Sequence, residues 1–316
     1  MSTESAKFYF VAADGANSEN RSKFGPPTLP YVESLQKALD RTASGEDPCV
    51  EVIALEIAEF IALLEQLPEA SQEALQNCVV WPYYRSRPDE ENHDVFSNLP
   101  DSFPEGSVIN DARNPNVSLG DKWRDYQLAE KGGIPIPETV EISDISEIDD
   151  GFSFDYPIVI KGHPSGRGID VHLCETATEA KQAFQSCIQK GLKVVAQEYI
   201  ETSHGRDLRI LVVDGKIVLT LGREAAPGKF HSNVSGGGQY IENPILNEED
   251  LGIIQKVIDT FPVDVGGIDF LYGPDGLVFT EINWAPGWSG LAEGLTDFLA
   301  NLIQQRLKLA KKVEGL

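Results

Sequence analysis

The sequence is poor in positive charge and lacks the patterns that mark nucleic-acid-binding proteins. Its 316 residues include 26 Lys and Arg against 50 Asp and Glu, which gives a net charge of −24. Contacts to phosphate backbones need Lys and Arg, so this balance argues against nucleic acid as a partner and against a polybasic membrane anchor. We interpret the acidity as a solvated surface, within which an anionic ligand would need a local basic pocket.

Cysteine is also scarce, and its spacing matches no common motif. Cys49, Cys78, Cys174 and Cys187 form no C-x-x-C pair and no zinc-type spacing with histidine. The N-terminal residues show no basic segment followed by an apolar stretch, and no apolar run reaches the length of a membrane span. We therefore expect reduced thiols, a cytoplasmic location and no membrane partner.

Strand-like and helix-like segments alternate over the first 82 residues. This alternation predicts a small α/β domain with a mostly parallel sheet. The strands are expected at 7–14, 50–55 and 77–82, and the helices at 31–42 and 56–67. Residues 83–106, rich in Pro, Asp, Glu, Asn and Ser, then indicate a long loop or a lid.

A second domain is predicted to begin near residues 115–120. Ser118 is the expected N-cap of a helix that carries Lys122 in its first turn and closes at Gly132-Gly133, and residues 141–150 are expected to form an acidic linker. Asp214-Gly215 predicts a hairpin turn. The remaining strands are expected at 157–161, 169–174, 193–200, 208–215, 216–223, 265–269 and 278–283, and the helices at 175–190, 247–261 and 290–311.

Two short apolar segments near the C-terminus end in oxygen-bearing side chains. They are Val265-Gly-Gly-Ile-Asp269 and Val278-Phe-Thr-Glu-Ile-Asn283. Side chains two apart on a strand share a face, so Glu281 and Asn283 can point at the same ion, with Asp269 on the neighbouring strand. Hard oxygen donors of this kind suit Mg²⁺, so the pattern predicts a magnesium site that also takes phosphate oxygens.

Two lysines are candidate phosphate ligands. Lys161 ends a predicted strand and opens the loop 162–168 (GHPSGRG), whose backbone N–H groups, including those of Ser165 and Gly166, can approach phosphate oxygens closely. The loop is not a Walker motif, because GxxxxGK[ST] is absent, and a plain turn stays open as an alternative. Lys122 is the second candidate, against the alternative of a solvated helix lysine.

The end of the predicted strand at 193–200, where a connection starts, is typical of a nucleotide hinge. Such a hinge offers backbone groups to an adenine edge, while aliphatic neighbours sandwich the ring. The residues concerned are Gln197, Glu198, Tyr199 and Ile200.

Two arginines lie at the ends of the predicted hairpin. Arg209 and Arg223 are positioned to stabilise charge on a transferring phosphoryl group. Asp207 lies two residues before Arg209, and the alternative is a surface ion pair between them. The Gly-rich segment 228–238, which contains Asn233, favours a mobile loop over a substrate, with a disordered linker as the alternative.

Taken in order, these motifs resemble the ATP-grasp superfamily. The motifs follow one another in the same order as in its RimK-type ligases, which attach glutamate or other amino acids to an acceptor. They are Lys122, PIVIK-GHPSGRG, QEYI, GRDLR, GRE, FHSN, GGG, GGIDF and TEINWAPG. The resemblance covers about residues 118–310. It implies an α/β fold in which a small N-terminal pre-ATP-grasp domain (1–117) precedes a two-lobed α+β ATP-grasp domain (118–200 and 201–316).

The resemblance also implies ATP and two Mg²⁺ ions, with Mn²⁺ as an alternative metal. It assigns Lys122 and Lys161 to the nucleotide phosphates, the backbone of residues 198–201 to adenine and Asp207 to the neighbourhood of the ribose.

Further residues would serve the reaction itself. Arg209 and Arg223 would neutralise the γ-phosphate and an acyl phosphate, Asn233 would belong to the substrate loop, and Asp269, Glu281 and Asn283 would hold the metal ions, with Glu281 bridging.

The implied activity is ATP-dependent ligation of a carboxylate to an amine through an acyl phosphate, with amino-acid or small-peptide substrates. His231 and Gly236 stand where these ligases more often carry basic residues, which argues against glutamate specificity. Trp284 and Trp288 could narrow the pocket or simply pack. Three alternatives stay open: a peptide- or protein-modifying ligase, a single-substrate cyclising enzyme or kinase, and a non-catalytic nucleotide-binding protein. A homo-oligomer is compatible with the resemblance.

Overall fold

The computed structural model comprises three sheets and seven α-helices within the residues it describes. Those residues are 5–12, 29–45, 47–66, 77–83, 95–99, 103–104, 106–118, 120–163, 170–228, 230, 232, 237–241, 244–286 and 295–313. The helices are α1 (Leu29–Thr42), α2 (Ile57–Gln66), α3 (Lys122–Lys131), α4 (Glu147–Asp150), α5 (Ala177–Gln189), α6 (Glu248–Thr260) and α7 (Leu295–Val313). Most of the predicted lid at 83–106 lies outside the described residues.

The N-terminal unit is a parallel three-stranded sheet, as predicted. Its strands are β1 (Ala6–Ala12), β2 (Val50–Glu56) and β3 (Cys78–Tyr83), in the order β2-β1-β3. Helix α1 buries Leu35, Ala38 and Leu39, which share one helical face because they are three and four residues apart. These side chains pack on Phe8 and Phe10 of the central strand.

The next unit is an antiparallel sheet in the order β4-β7-β5-β6, with α5 on one face. Its strands are β4 (Thr139–Ile142), β5 (Ile158–His163), β6 (Val171–Cys174) and β7 (Lys193–Glu198). The prediction of a linker at 141–150 is wrong, because β4 ends and α4 lies within it. Ile142 and Ile148 are buried in the core of this unit, and the Glu147 carboxylate accepts the N–H groups of Ser143 and Asp144. The acidic composition of residues 141–150 indicated a linker, and the two apolar residues within it, Ile142 and Ile148, were overlooked.

The last sheet is antiparallel in the order β10-β9-β8-β11-β12. Its strands are β8 (Arg206–Val213), β9 (Lys216–Glu224), β10 (Gln239–Ile241), β11 (Val265–Gly273) and β12 (Gly276–Asn283). Asp214 and Gly215 both have positive φ, 53° and 67°, which confirms the predicted hairpin turn. The three-residue β10 was not predicted, because its residues fall at the end of a glycine-rich stretch.

Asn110 connects the N-terminal unit to this last sheet. Its side-chain oxygen accepts from the backbone N–H groups of Asp264 and Val265 at 3.0 and 3.1 Å. Its amide nitrogen donates to the carbonyls of Val265 and Trp284 at 2.7 and 2.9 Å. Core clusters also cross the predicted boundary at residue 117, since Phe60 and Phe96 share one cluster with residues of α6 and β11. The domain bounds given above stay a prediction.

Two predicted element ends need correction. Helix α3 is capped by Asp121, whose side chain accepts from the Arg124 N–H, and not by Ser118. The Ser118 hydroxyl instead accepts a hydrogen bond from the Trp284 indole at 3.0 Å, so it is committed to a tertiary contact. Strand β5 continues past Lys161 to His163. Among the described helices, none has the length and apolar character needed to cross a bilayer.

Candidate active site

The three predicted metal-binding side chains lie together on strands β11 and β12. Asp269 and Glu281 are directly opposite each other in the antiparallel pair, and Asn283 faces Gly267. The Asn283 amide nitrogen lies 3.2 Å from Asp269 Oδ2 and 3.3 Å from Glu281 Oε1. This confirms the predicted convergence. Two carboxylates and an amide fit Mg²⁺, provided that the amide turns its oxygen toward the ion.

A chain of alternating charges runs across the sheet from β9 to β11. Arg209 binds the Asp269 carboxylate through both a 2.7 Å and a 2.6 Å hydrogen bond. Arg223 binds Asp207 in the same bidentate manner, at 2.6 and 2.7 Å, and also reaches Asp269 at 2.9 Å. The register explains the pairing, because Asp207 lies opposite Arg223 and Asp269 lies opposite Arg209. The alternative of a surface Asp207–Arg209 pair is wrong.

The two arginines differ in how accessible they are. The Arg223 side chain is 5% exposed, whereas that of Arg209 is 16% exposed. Burial works against the charge of Arg223, but Asp269 and Asp207 hold its pKa above the usual range. Burial likewise raises the pKa of Asp207, although the Arg223 guanidinium opposes this. Arg223 is thus enclosed between two carboxylates, and Arg209 is the one that a substrate can more readily reach.

Lys122 lies at the start of α3 and reaches the Glu281 carboxylate, a predicted metal ligand, from another element. Its ammonium donates to the Glu281 carboxylate. Burial alone would lower the pKa of Lys122 and raise that of Glu281. Their mutual attraction outweighs this, so the pKa of Glu281 lies well below its usual range and that of Lys122 lies above it. Both groups are therefore charged at neutral pH, and Lys122 is not a solvated helix lysine.

The Lys161 side chain extends from β5 and contacts two polar side chains. Its ammonium donates to the Gln197 side-chain oxygen and to the Tyr126 hydroxyl, the latter at 3.2 Å. The other end of the Gln197 amide donates to Thr139 at 2.8 Å. Gln197 thus orients Lys161 from the neighbouring strand β7. Ser165 and Gly166 lie outside the described residues, so their predicted phosphate contacts stay predictions.

The predicted adenine hinge follows β7 and is tied to the segment before β4. The Glu198 N–H donates to the Glu138 carbonyl at 2.8 Å, and its carboxylate accepts from the Glu138 N–H at 3.2 Å. The Tyr199 hydroxyl pairs with the His204 ring, and Ile200 is buried before a short 3₁₀ helix at Glu201–Ser203. The chain therefore turns sharply here from one sheet to the other, while adenine binding stays a prediction.

Sequence reasoning missed two buried titratable groups near the lysines. Asp125 lies one helical turn after Lys122 and is 1% exposed; burial raises its pKa to about 7, although the Ser118 hydroxyl and Lys122 oppose the shift. His163, two residues after Lys161, is also 1% exposed, and burial lowers its pKa to about 4. The sequence spacing could have indicated both groups. Residues three apart on a helix, or two apart on a strand, share a face, so Asp125 lies on the face of Lys122 and His163 on the face of Lys161.

Trp284 is a packing residue. It is 4% exposed, belongs to the largest apolar cluster and donates to Ser118, so it does not line an open pocket. Three further residues of the sequence-based site, Asn233, His231 and Trp288, lie outside the described residues.

Comparison with known proteins assigns the chain to a family. The RimK-like ATP-grasp domain matches residues 119–305. A probable alpha-L-glutamate ligase of Aeromonas salmonicida is 33% identical over 203 residues, which cover 63% of this chain and 68% of the relative. The match thus leaves about a third of each chain unaligned.

Solved structures share the fold across nearly the whole chain. D-alanyl-alanine synthetase A from Vibrio cholerae gives a TM-score of 0.67 at 16% identity, covering 96% of this chain and 99% of that one. A RimK domain ATP-grasp protein from Sphaerobacter thermophilus gives a TM-score of 0.61 at 17% identity, covering 93% and 98%. The chain therefore belongs to the RimK-like ATP-grasp family, and its reaction class is ADP-forming, ATP-dependent ligation of a carboxylate to an amine.

Proposed function

We propose that this protein joins an amino-acid carboxylate to the amine of a second amino acid or small peptide, at the site formed by α3, β5, β8, β11 and β12. The observation that carries the proposal is the convergence of Asp269, Glu281 and Asn283 beside Arg209 and Lys122. A protein that only binds nucleotide needs no such combination of metal ligands and phosphate-neutralising cations. This argues against the non-catalytic alternative.

The charges at the site suit phosphoryl transfer followed by amide formation. Lys122 and Lys161 would hold nucleotide phosphates, and Mg²⁺ held by Asp269, Glu281 and Asn283 would neutralise phosphate charge. Arg209 would stabilise the charge that develops as a substrate carboxylate becomes an acyl phosphate. The amine then displaces inorganic phosphate, so the chain supplies positioning and charge and needs no nucleophilic side chain.

Lys122 and Arg209 must exchange partners when nucleotide binds. In the structure each cation already holds a carboxylate, Glu281 and Asp269 respectively. Glu281 and Asp269 would hold the metal ion, whose positive charge would replace that of the two cations, so that Lys122 and Arg209 would be free for phosphate oxygens. Arg223 is enclosed and stays on Asp207 and Asp269, so we assign it to positioning Asp269 rather than to contacting the substrate.

A glutamate-transferring activity is the second candidate. The Aeromonas relative named probable alpha-L-glutamate ligase favours it. Against it, His231 and Gly236 stand where basic residues would be expected for an acidic substrate. The buried position of Trp284 removes one argument for a narrow pocket, so a peptide or protein acceptor remains an outcome that the experiment must distinguish.

The test is ADP release with Mg²⁺-ATP in the presence of amino acids, amines and peptides, supplied singly and in pairs, with mass spectrometry of the products. We expect release that needs two substrates and a product lighter by one water than their sum. Glu281→Gln should abolish release, while Glu141→Gln, at an exposed position of β4, should not change it. Release with one compound alone would establish a kinase or a cyclising enzyme instead.

We also propose a cytoplasmic location, since the reaction consumes ATP. The four cysteines form no disulfide in the structure, which is compatible with a reducing compartment. Cell fractionation with an antibody to the protein would test this. The homo-oligomer stays a prediction that size-exclusion chromatography with light scattering would decide.

A further inference from the structure

We propose that Asp170, His172 and Cys187 form a second metal site, which takes Zn²⁺ or a similar thiophilic divalent ion and lies away from the candidate active site. One donor atom from each residue lies within 4.8 Å of the other two. Asp170 directly precedes β6, His172 is in β6, and Cys187 is in the last turn of α5. A metal ion here would join the edge strand of the sheet to the helix that covers it.

The cluster is on the opposite face of the sheet from the active-site lysine. His172 lies opposite Ile160 in the β5–β6 pair, and Ile160 belongs to the core that α5 covers. Gly162 lies two residues after Ile160 in β5 and faces the same side of the sheet. A Cβ built on Gly162 would meet Cys187 Sγ at 3.0 Å and Asp170 Cβ at 3.2 Å. Lys161 alternates with these residues and points the other way. The site is therefore separate from Asp269, Glu281 and Asn283.

The donor chemistry indicates zinc rather than magnesium. A thiolate, an imidazole and a carboxylate are the three ligand types that Zn²⁺ takes in proteins, and a fourth position is left for water. Oxygen donors alone suit Mg²⁺, but a sulfur donor does not. In a tetrahedral zinc site, ligand atoms are about 3.3–3.8 Å apart, so the three side chains need to close in by at most about 1.5 Å.

A second observation concerns the ring of His172. The Nε2 atom of His172 is inaccessible to solvent and has no hydrogen-bond partner in the described part of the chain. Buried ring nitrogens are normally paired, so this one calls for an explanation. Lys190 occupies one oxygen of Asp170, at 2.6 Å, and leaves the second carboxylate oxygen for a metal ion. Binding would displace the proton of the Cys187 thiol to solvent.

The test uses the full-length protein after treatment with a chelator, titrated with Co²⁺ as a spectroscopic probe and with Zn²⁺. Ligation by Cys187 predicts a thiolate-to-cobalt charge-transfer absorption band. The candidate magnesium site cannot produce this band, because Asp269, Glu281 and Asn283 have no sulfur. Zn²⁺ should displace Co²⁺ at one equivalent and raise the melting temperature.

Two variants and two controls decide the assignment. Cys187→Ser should remove the band, and His172→Gln should weaken Zn²⁺ binding at least about tenfold, with circular dichroism confirming that each variant is folded. Cys49→Ser, at an exposed position, and Cys78→Ser, in the N-terminal sheet, should leave the band unchanged. Failure of the wild-type protein to give the band, or persistence of the band in Cys187→Ser, would overturn the proposal.

Discussion

Lys122 and Glu281 connect the start of helix α3 to strand β12. They lie 159 residues apart in the sequence, yet the ammonium donates directly to the carboxylate in a partly buried position. Each keeps the other charged despite burial, which alone would favour the neutral forms. The pair thus holds a candidate phosphate ligand and a candidate metal ligand next to each other before any nucleotide binds.

Glu281→Gln is expected to separate catalysis from folding. The amide oxygen can still accept from Lys122 but no longer balances its buried charge, so the free energy of unfolding should fall by about 1–3 kcal/mol. Loss of the metal-binding charge should lower the rate of ADP formation by about 100-fold or more, equivalent to about 2.7 kcal/mol in the barrier. Steady-state kinetics and urea denaturation measure the two effects. Turnover equal to that of the Glu141→Gln control would contradict the assigned role.

Arg209→Lys and Arg223→Lys should have different consequences, because lysine keeps the charge but loses bidentate binding. Arg209→Lys should lower kcat by about 100-fold with a small effect on stability. Arg223→Lys leaves Asp207 and Asp269 incompletely paired, so it should cost about 1–3 kcal/mol of stability and raise the Mg²⁺ concentration needed for activity. Chemical denaturation and Mg²⁺ titration of ADP release distinguish them. Equal kcat losses with unchanged stability would argue that both arginines touch substrate.

Asp125→Asn is expected to change how stability depends on pH. Burial raises the pKa of Asp125 to about 7 in the folded protein, whereas an unfolded chain releases this proton near 4. Between these values the folded state holds the extra proton, so this group makes stability fall as pH rises, by about 1.4 kcal/mol per pH unit at most. Both proteins retain the Glu281–Lys122 pair, so its contribution to the pH dependence of stability largely cancels when they are compared.

Urea denaturation at pH 5, 6, 7 and 8 tests this expectation. Relative to the wild-type protein, Asp125→Asn should gain about 2–3 kcal/mol between pH 5 and pH 8, while the exposed control Asp155→Asn should show no such trend. Parallel curves for the wild-type protein and Asp125→Asn would mean that Asp125 is already ionised in the folded state at pH 5.

Asn110→Ala should destabilise the whole chain. The substitution leaves two buried N–H groups and two carbonyls of the 264–265 and 284 segments without their partner, at a cost of about 3–5 kcal/mol. Asn110 also has a φ of 53°, which disfavours alanine. Asn110→Gly removes that strain and isolates the hydrogen-bond loss. Asn301→Ala, at an exposed position of α7, serves as the control in thermal denaturation, and a cost as small as that of the control would refute the role.

Local sequence patterns were sufficient to predict features that depend on one or two neighbouring elements. The parallel N-terminal sheet, the Asp214-Gly215 turn and the face shared by Glu281 and Asn283 follow from side-chain alternation and turn chemistry, and each is present in the structure. Element ends were less predictable. Ser118 looks like a helix cap in the sequence, but its hydroxyl is used by Trp284, a partner that no local pattern can identify.

The sequence by itself determined the family, most of the strands and helices, and the residue types that gather at the site, because these depend on spacing along the chain. The tertiary structure decided which opposite charges meet. Asp207 binds Arg223 because β8 and β9 place them opposite each other, and Lys122 meets Glu281 because α3 starts beside β12. Pairing across strands and elements depends on register and packing, which the sequence encodes only through the fold as a whole.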